Sequence, residues 1–176
     1  MSDAVDRSFL FADLSGFTAM TESHGDDDAA SIAIRFAELT ASVLADGASI
    51  VKTIGDAVMA TFVRPEHAIV AGLRMRAAMD GLNAARGTQD LVVKIGIHEG
   101  PCLAVMLNER QDYFGQTVNI AARVQSLSTS QEMHITGPVN DAPEVAAILR
   151  RESITPIQKQ AALRGIADKI VVYEIP

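Results

Sequence analysis

The sequence predicts an α+β fold: a βαββαβ core built on an antiparallel sheet, with a C-terminal extension. Three observations predict it. Short β-rich runs alternate with helical periods in the order strand, helix, hairpin, helix, hairpin, which is the ferredoxin-like order, with helices expected on one face of the sheet. No repeat, low-complexity tract or Pro/Gly/Ser-rich linker divides the 176 residues, so a single domain spanning 1–176 is expected. Apolar residues make up 48% and charged residues 21%, enough apolar side chain for a real core and too much for a disordered chain.

The elements follow in order. Ser8 to Ala12 (SFLFA) is a short apolar, aromatic run that reads as a buried strand ending at Asp13, with Ser15-Gly16 turning the chain. Asp26 to Leu44 has helical period, with Ile32, Phe36, Leu39 and Val43 on one stripe and three aspartates suited to the helix N-terminus. Ala48 to Thr53 and Ala57 to Phe62 are β-rich runs around Ile54-Gly55-Asp56, a hairpin. Pro65 opens a second helix, with Ile69, Leu73 and Ala77 on one face, ending near Gly87. Leu91 to His98 and Pro101 to Leu107 read as a strand pair joined at Glu99-Gly100. Gln116 to Ser126 reads as a helix whose inner face carries Val118, Ala121 and Ala122. Met133 to Thr136 is a strand, Ala142 to Arg150 a helix, and a last strand pair closes at Ile170 to Ile175.

Fifteen basic and 22 acidic side chains give a net charge of −7, which argues against gripping nucleic acid or an anionic membrane through a broad basic face. A small polyphosphate remains open, because it needs only a local cluster of cations or a bound metal. The single cysteine, Cys102, forms no internal disulfide, and no run approaches the 18 apolar residues of a membrane span. The N-terminus lacks a basic flank leading into an apolar run. The expectation is a soluble, cytoplasmic protein without a membrane or nucleic-acid partner.

Several residues can carry chemistry. Asp13 ends the first strand and Asp56 lies in the first hairpin turn; on neighbouring strands, both carboxylates would project from one edge. Two carboxylates without histidine or cysteine favour Mg²⁺ or Mn²⁺ over zinc, although strand ends and turns are also ordinary places for aspartate. Ser15, Gly16, Phe17 and Thr18 form a strand-to-helix turn whose backbone N–H groups could cradle a polyphosphate, without the Gly-Lys-Ser/Thr of a Walker loop. Lys52 stands in an otherwise apolar strand, where it is either an edge-strand guard against aggregation or a working cation. Asn119 and Arg123, four apart on a helix, point the same way and could hold a phosphate that gains charge, or simply be a solvated face.

Taken together these pieces are far more specific than any one of them. FADLSGFT (11–18), VKTIGDAVMATF (51–62), IGIHEGP (95–101) and DYFGQTVNIAARV (112–124) closely resemble ordered signature segments of the class III nucleotidyl cyclase catalytic domain. LRGIADKIVVYEI (163–175) resembles that family's closing segment, so the likeness covers nearly the whole chain. The resemblance implies that Asp13, Asp56 and the Leu14 carbonyl hold two ions, Mg²⁺ or Mn²⁺. It implies that Lys52 and Asp112 read the purine, and that Asn119 and Arg123 act on the transition state. Asp112 can accept from the adenine amino group while Lys52 donates to N1, so ATP, cyclised to 3′,5′-cyclic AMP, is expected over GTP. Guanylate cyclase, a catalytically idle cyclase-like dimer that binds a partner, and a different palm-like nucleotidyl transferase are the alternatives. The resemblance also implies a head-to-tail homodimer with two shared sites, each taking Asp13 and Asp56 from one subunit and the other four residues from its partner. Two departures stand out: Leu103 to Gln111 lacks the glycine punctuation many members carry, and the triphosphate lysine has only Arg164 as a candidate match. His98 and Cys102 have no partner cluster in the sequence and are expected to be structural.

Overall fold

A computed structural model describes residues 2–44, 47–54 and 57–176. Strand β1 (Ser2–Ser15) enters helix α1 (Phe17–His24) and then α2 (Asp26–Leu44). The hairpin β2 (Ala48–Ile54) and β3 (Ala57–Phe62) precedes α3 (Pro65–Arg86), which stops at Gly87 in the left-handed region, φ 69°. Strands β4 (Val92–Leu107) and β5 (Arg110–Phe114) lead to α4 (Gln116–Gln125). The chain ends with β6 (Met133–Thr136), α5 (Gly137–Asn140), α6 (Pro143–Arg151), β7 (Ile157–Ala161) and β8 (Ile170–Ile175). The sheet order is β2-β3-β1-β4-β6-β8-β7, with β5 pairing β4; every pair is antiparallel except β4–β6.

The largest difference from the sequence reading is β4. Glu99-Gly100 does not turn the chain; the two expected strands are one, held straight by β1, which runs beside it in unbroken register from Ser2↔Val105 to Ser15↔Val92. Gly100 serves close packing instead: a Cβ there would lie 2.8 Å from Thr117 Oγ1 on α4. The turn comes later, at Asn108 and Glu109, both left-handed (φ 49° and 62°) as a two-residue hairpin loop requires, and it produces β5. The N-terminal half of β1 went unread for a related reason. Ser2 to Arg7 is mostly exposed, so it carries no apolar pattern and is a strand through its pairing with β4.

Helices cover both faces of the sheet, not one. On one side α2, α3 and α6 enclose the main core with Leu10, Ala12, Leu14, Ile95 and Ile97. The stripe of α3 that faces it runs through Ala68, Ile69, Gly72, Met75 and Met79; the expected Ile69 is buried and Leu73 packs at its edge, whereas the expected Ala77 is exposed. On the other side α4 lies over Phe9, Cys102, Ala104 and Tyr113, burying Thr117, Ala121 and Val124; the expected Val118 and Ala122 sit at its flanks. This second layer depends on Gly96, whose missing Cβ would stand 2.1 Å from the Gln125 backbone nitrogen. Alternation along β4 thus gives isoleucines to one face and glycines to the other, and the bare face is where α4 seats.

Candidate active site

Alternation along β1 assigns the first site residue. Leu10, Ala12 and Leu14 enter the main core, so Phe9, Phe11 and Asp13 belong to the α4 face. Asp13 is half-buried, with Ala57 of β3 opposite on one side and Lys94 of β4 on the other. The neighbouring strands required for a shared carboxylate edge are therefore β1 and β3; Asp56 itself lies outside the described residues. The Leu14 side chain is only 2% exposed and belongs to the core, which leaves its backbone as the part able to bind anything. Lys94 was passed over in the sequence, although a lysine alternating with core positions in VVKIGI carries the same signal as Lys52.

Ser15-Gly16-Phe17-Thr18 is the strand-to-helix turn expected. Gly16 has φ 86°, and a Cβ there would lie 2.9 Å from the Asp90 carbonyl, so glycine is demanded both by backbone and by space. Its carbonyl accepts from Met20 N at 2.9 Å, opening α1, and no side chain among the described residues caps that end. The amides of the first turn therefore point outward, in the arrangement that suits an anion.

Lys52 and Asp112 come together from β2 and β5, 60 residues apart: Lys52 Nζ donates to Asp112 Oδ2 at 3.5 Å. Their side chains are 45% and 23% exposed, so the pair adds under about 1 kcal/mol and is no staple of the fold. The strand β5 is positioned by Tyr113, whose ring meets Phe9 edge-on at 5.5 Å, and Asp112 Oδ1 is oriented by accepting from Tyr113 N at 2.8 Å. The pair lines a pocket of about 540 Å³ together with Leu107, Asn108, Arg110 and Gln111.

Asn119 and Arg123 lie one turn apart on the side of α4 away from the buried Thr117–Ala121–Val124 stripe. Thr117 Oγ1 anchors the helix by donating to the Pro101 carbonyl at 2.6 Å. No described residue forms a hydrogen bond or ion pair with the side chain of Asn119 or of Arg123. His98 sits beneath α4, its Nδ1 2.6 Å from Thr136 Oγ1, and burial pushes its pKa down to about 4. Cys102 is buried against the Val5 carbonyl, and burial pushes its thiol up. Arg164 is exposed beside Leu163, which packs with Val124 under α4. Among the described residues no three His, Cys, Asp or Glu side chains converge on a metal-sized point. No helix among them is long and apolar enough to cross a membrane.

Residues 2–175 match the model of the adenylate and guanylate cyclase catalytic domain. The chain belongs to this family. A Mycobacterium tuberculosis protein of uncharacterised function is 36% identical over 134 residues, covering 74% of this chain and 32% of that protein. The germination-specific adenylate cyclase of Dictyostelium discoideum is 29% identical over 143 residues, 74% of this chain and 17% of that one. This cyclase domain thus spans a third or less of these two relatives. Among solved structures, the adenylyl cyclase CyaB of P. aeruginosa superposes with TM-score 0.85 at 24% identity, covering 100% of this chain and 96% of that one. The guanylate cyclase domain of RhGC from Catenaria anguillulae, in complex with GTP, gives 0.81 at 19%, covering 99% and 98%. At these identities the superpositions establish the fold, and the relatives carry both adenylate and guanylate cyclase names.

Proposed function

We propose that residues 1–176 form one catalytic domain that cyclises ATP to 3′,5′-cyclic AMP and pyrophosphate, working as a head-to-tail homodimer with two shared sites. The observation that carries the reading is the Lys52–Asp112 pair, brought together in a pocket that nothing in the fold's stability requires. A carboxylate and an ammonium side by side complement adenine, whose C6 amino group donates and whose N1 accepts. Guanine would turn its C6 carbonyl toward Asp112 and leave polar groups unpaired.

The chemistry forms a bond from the ribose 3′-oxygen to the α-phosphorus and breaks the bond to the β-phosphate oxygen, while the 3′-proton passes to solvent. Lys52 and Asp112 hold the base. Asn119 orients the ribose for in-line attack, and Arg123 donates to the α-phosphate oxygens as their charge grows. The backbone amides of Ser15 to Thr18 cradle the remaining phosphates. Asp13, a half-buried carboxylate at a strand end, is the hard oxygen donor that Mg²⁺ or Mn²⁺ prefers, and with Asp56 and the Leu14 carbonyl it would hold two such ions alongside the phosphates. When bound, the ions acidify the 3′-hydroxyl and offset phosphate charge.

The β4–β5 arm supports the dimer. Leu103, Leu107 and Phe114 are 46–47% exposed and share one face of the arm, by alternation and pairing the face of Asp112. The test is to incubate purified protein with ATP or GTP and Mn²⁺ and identify the product, then to mix two variants. Asp13→Ala and Asn119→Ala should each be crippled, the second by about 10²–10³-fold. After subunit exchange at equal amounts they should recover about a quarter of wild-type sites, because one site in each heterodimer is intact. Cyclic GMP as the main product would reverse the substrate assignment, and no recovery on mixing would sink the shared site.

A further inference from the structure

The turn assigned to the phosphates is backed by the loop that follows α3. Gly87 ends that helix, and the chain folds back over it, with Thr88 N donating to the Asn83 carbonyl at 3.0 Å. Asn83 is fully buried and clasps Leu91 twice: its Nδ2 donates to the Leu91 carbonyl at 2.7 Å, and its Oδ1 accepts from Leu91 N at 3.2 Å. In a trans peptide the N–H and the C=O point opposite ways, so anchoring Leu91 N to Asn83 turns the Asp90 carbonyl outward. That carbonyl is the group a Cβ on Gly16 would meet at 2.9 Å, so the loop abuts the phosphate turn at its glycine.

Arg86 ties the same loop to α1. Its Nη1 donates to Asp90 Oδ1 at 2.8 Å and to Thr88 Oγ1 at 3.1 Å, while its Nη2 lies 3.9 Å from Met20 Sδ, in the helix that the phosphate turn opens. The Arg86 hydrogen bond, and after it that of Thr88, holds the Asp90 carboxyl below the usual aspartate range. The Arg86 side chain is 18% exposed and that of Asp90 41%, so the pair adds little to the stability of the fold. A cation in the last turn of a helix also suits the helix dipole, but a lysine would do that as well. A planar fork is what reaches two loop oxygens and a group on α1 at once.

We propose that Arg86 is a positioning residue for the triphosphate: by bridging the 88–91 loop to α1, it fixes the Gly16 turn whose amides hold the phosphates. The assignment rests on the cyclase reading above and adds to it a residue that acts through the loop. An anion is held at such a turn only where several N–H groups converge, and Gly16, at φ 86° and without a side chain, keeps one conformation only if something presses on it. The Asp90 carbonyl supplies that stop, and Arg86 sets where the loop bearing it stands relative to α1.

The experiment measures binding of magnesium pyrophosphate and of adenosine to wild type, Arg86→Ala, Arg86→Lys and Asp90→Asn by calorimetry, together with kcat, KM for ATP and the urea midpoint of each. Arg86→Ala should weaken pyrophosphate on the order of tenfold, the worth of one hydrogen bond to a charged group, and raise KM for ATP by a similar factor while kcat changes much less. Adenosine should bind all four proteins alike. Arg86→Lys and Asp90→Asn should fall between wild type and Arg86→Ala, each keeping part of the bridge, and they carry the same comparison if Arg86→Ala does not fold. Equal weakening of pyrophosphate and adenosine, or weakening that follows the urea midpoint across the variants, would make Arg86 a structural residue only and overturn the assignment. So would unchanged pyrophosphate binding in the variants, or a wild type that binds no pyrophosphate. Cyclic AMP formation by the same wild-type preparation is scored separately, so a protein that holds pyrophosphate through Arg86 but forms no cyclic nucleotide refutes the cyclase reading alone.

Discussion

Replacing Gly96 by alanine tests whether the seat of α4 sets the catalytic geometry. The added Cβ would lie 2.1 Å from Gln125 N, 2.5 Å from Gln125 Cα and 2.8 Å from the Val124 carbonyl carbon. All three are backbone atoms, so no rotamer change relieves the clash, and α4 must retreat by about 1 Å to regain van der Waals contact. Over-packing of this kind costs about 1–3 kcal/mol. Asn119 and Arg123 ride on α4, whereas Lys52 and Asp112 stand on β2 and β5. The retreat should therefore lower kcat by about 10²-fold, the cost of a misplacement near 1 Å, and change KM for ATP much less. Urea unfolding and initial-rate assays on the same preparation measure both effects. An alanine variant with wild-type midpoint and wild-type kcat would refute the argument, since α4 would then neither rest on Gly96 nor need its place.

Two further outcomes follow from the same geometry. Lys52→Glu combined with Asp112→Cys should abolish the preference for ATP, with a loss on the order of 10⁴-fold in selectivity if the pocket is built around that pair; kcat/KM for ATP and GTP measures it, and an unchanged preference would remove these residues from base recognition. Acid should weaken the fold in two steps. Burial holds His98 down at about 4 from 6.5, so its contribution is full above pH 6.5 and is lost as pH falls toward 4, about 2 kcal/mol of it by pH 5. Burial pushes His134 in the same direction. Glu132 is pushed up by burial but pulled down further, to about 2, by hydrogen bonds from Ser130 and Thr129, so its share is full above pH 4.5 and disappears between there and 2. Urea titrations at pH 7.5 and 5 should differ by at least about that 2 kcal/mol in wild type, His134 adding in the same direction, and a flat profile would contradict the buried, neutral His98.

Much of the molecule was legible in the sequence because the signals are local. The periods of α2 and α3, the capping Gly87, the β2–β3 hairpin and the ordered signature segments are each written within a few residues, and α2 runs over the expected Asp26–Leu44. For Asp13, Lys52, Asp112, Asn119 and Arg123, type and spacing alone leave bland readings open, and it is the resemblance of the ordered signature segments that implies phosphate and purine chemistry. What tertiary structure decided is where two distant segments share hydrogen bonds or a surface. Gly100 looked like a turn because glycine permits one, but the ladder with β1 keeps it extended, and its bareness serves α4. Gly96 gave no hint that it admits a helix to the second face of the sheet. Nor could spacing place Lys52 within 3.5 Å of Asp112, or Lys94 opposite Asp13, because strand pairing brings those residues together across 60 and 81 positions of chain. Local preference is a property of neighbouring residues, whereas register and layer are chosen by the total surface buried and the backbone groups satisfied, and only the folded chain sums those.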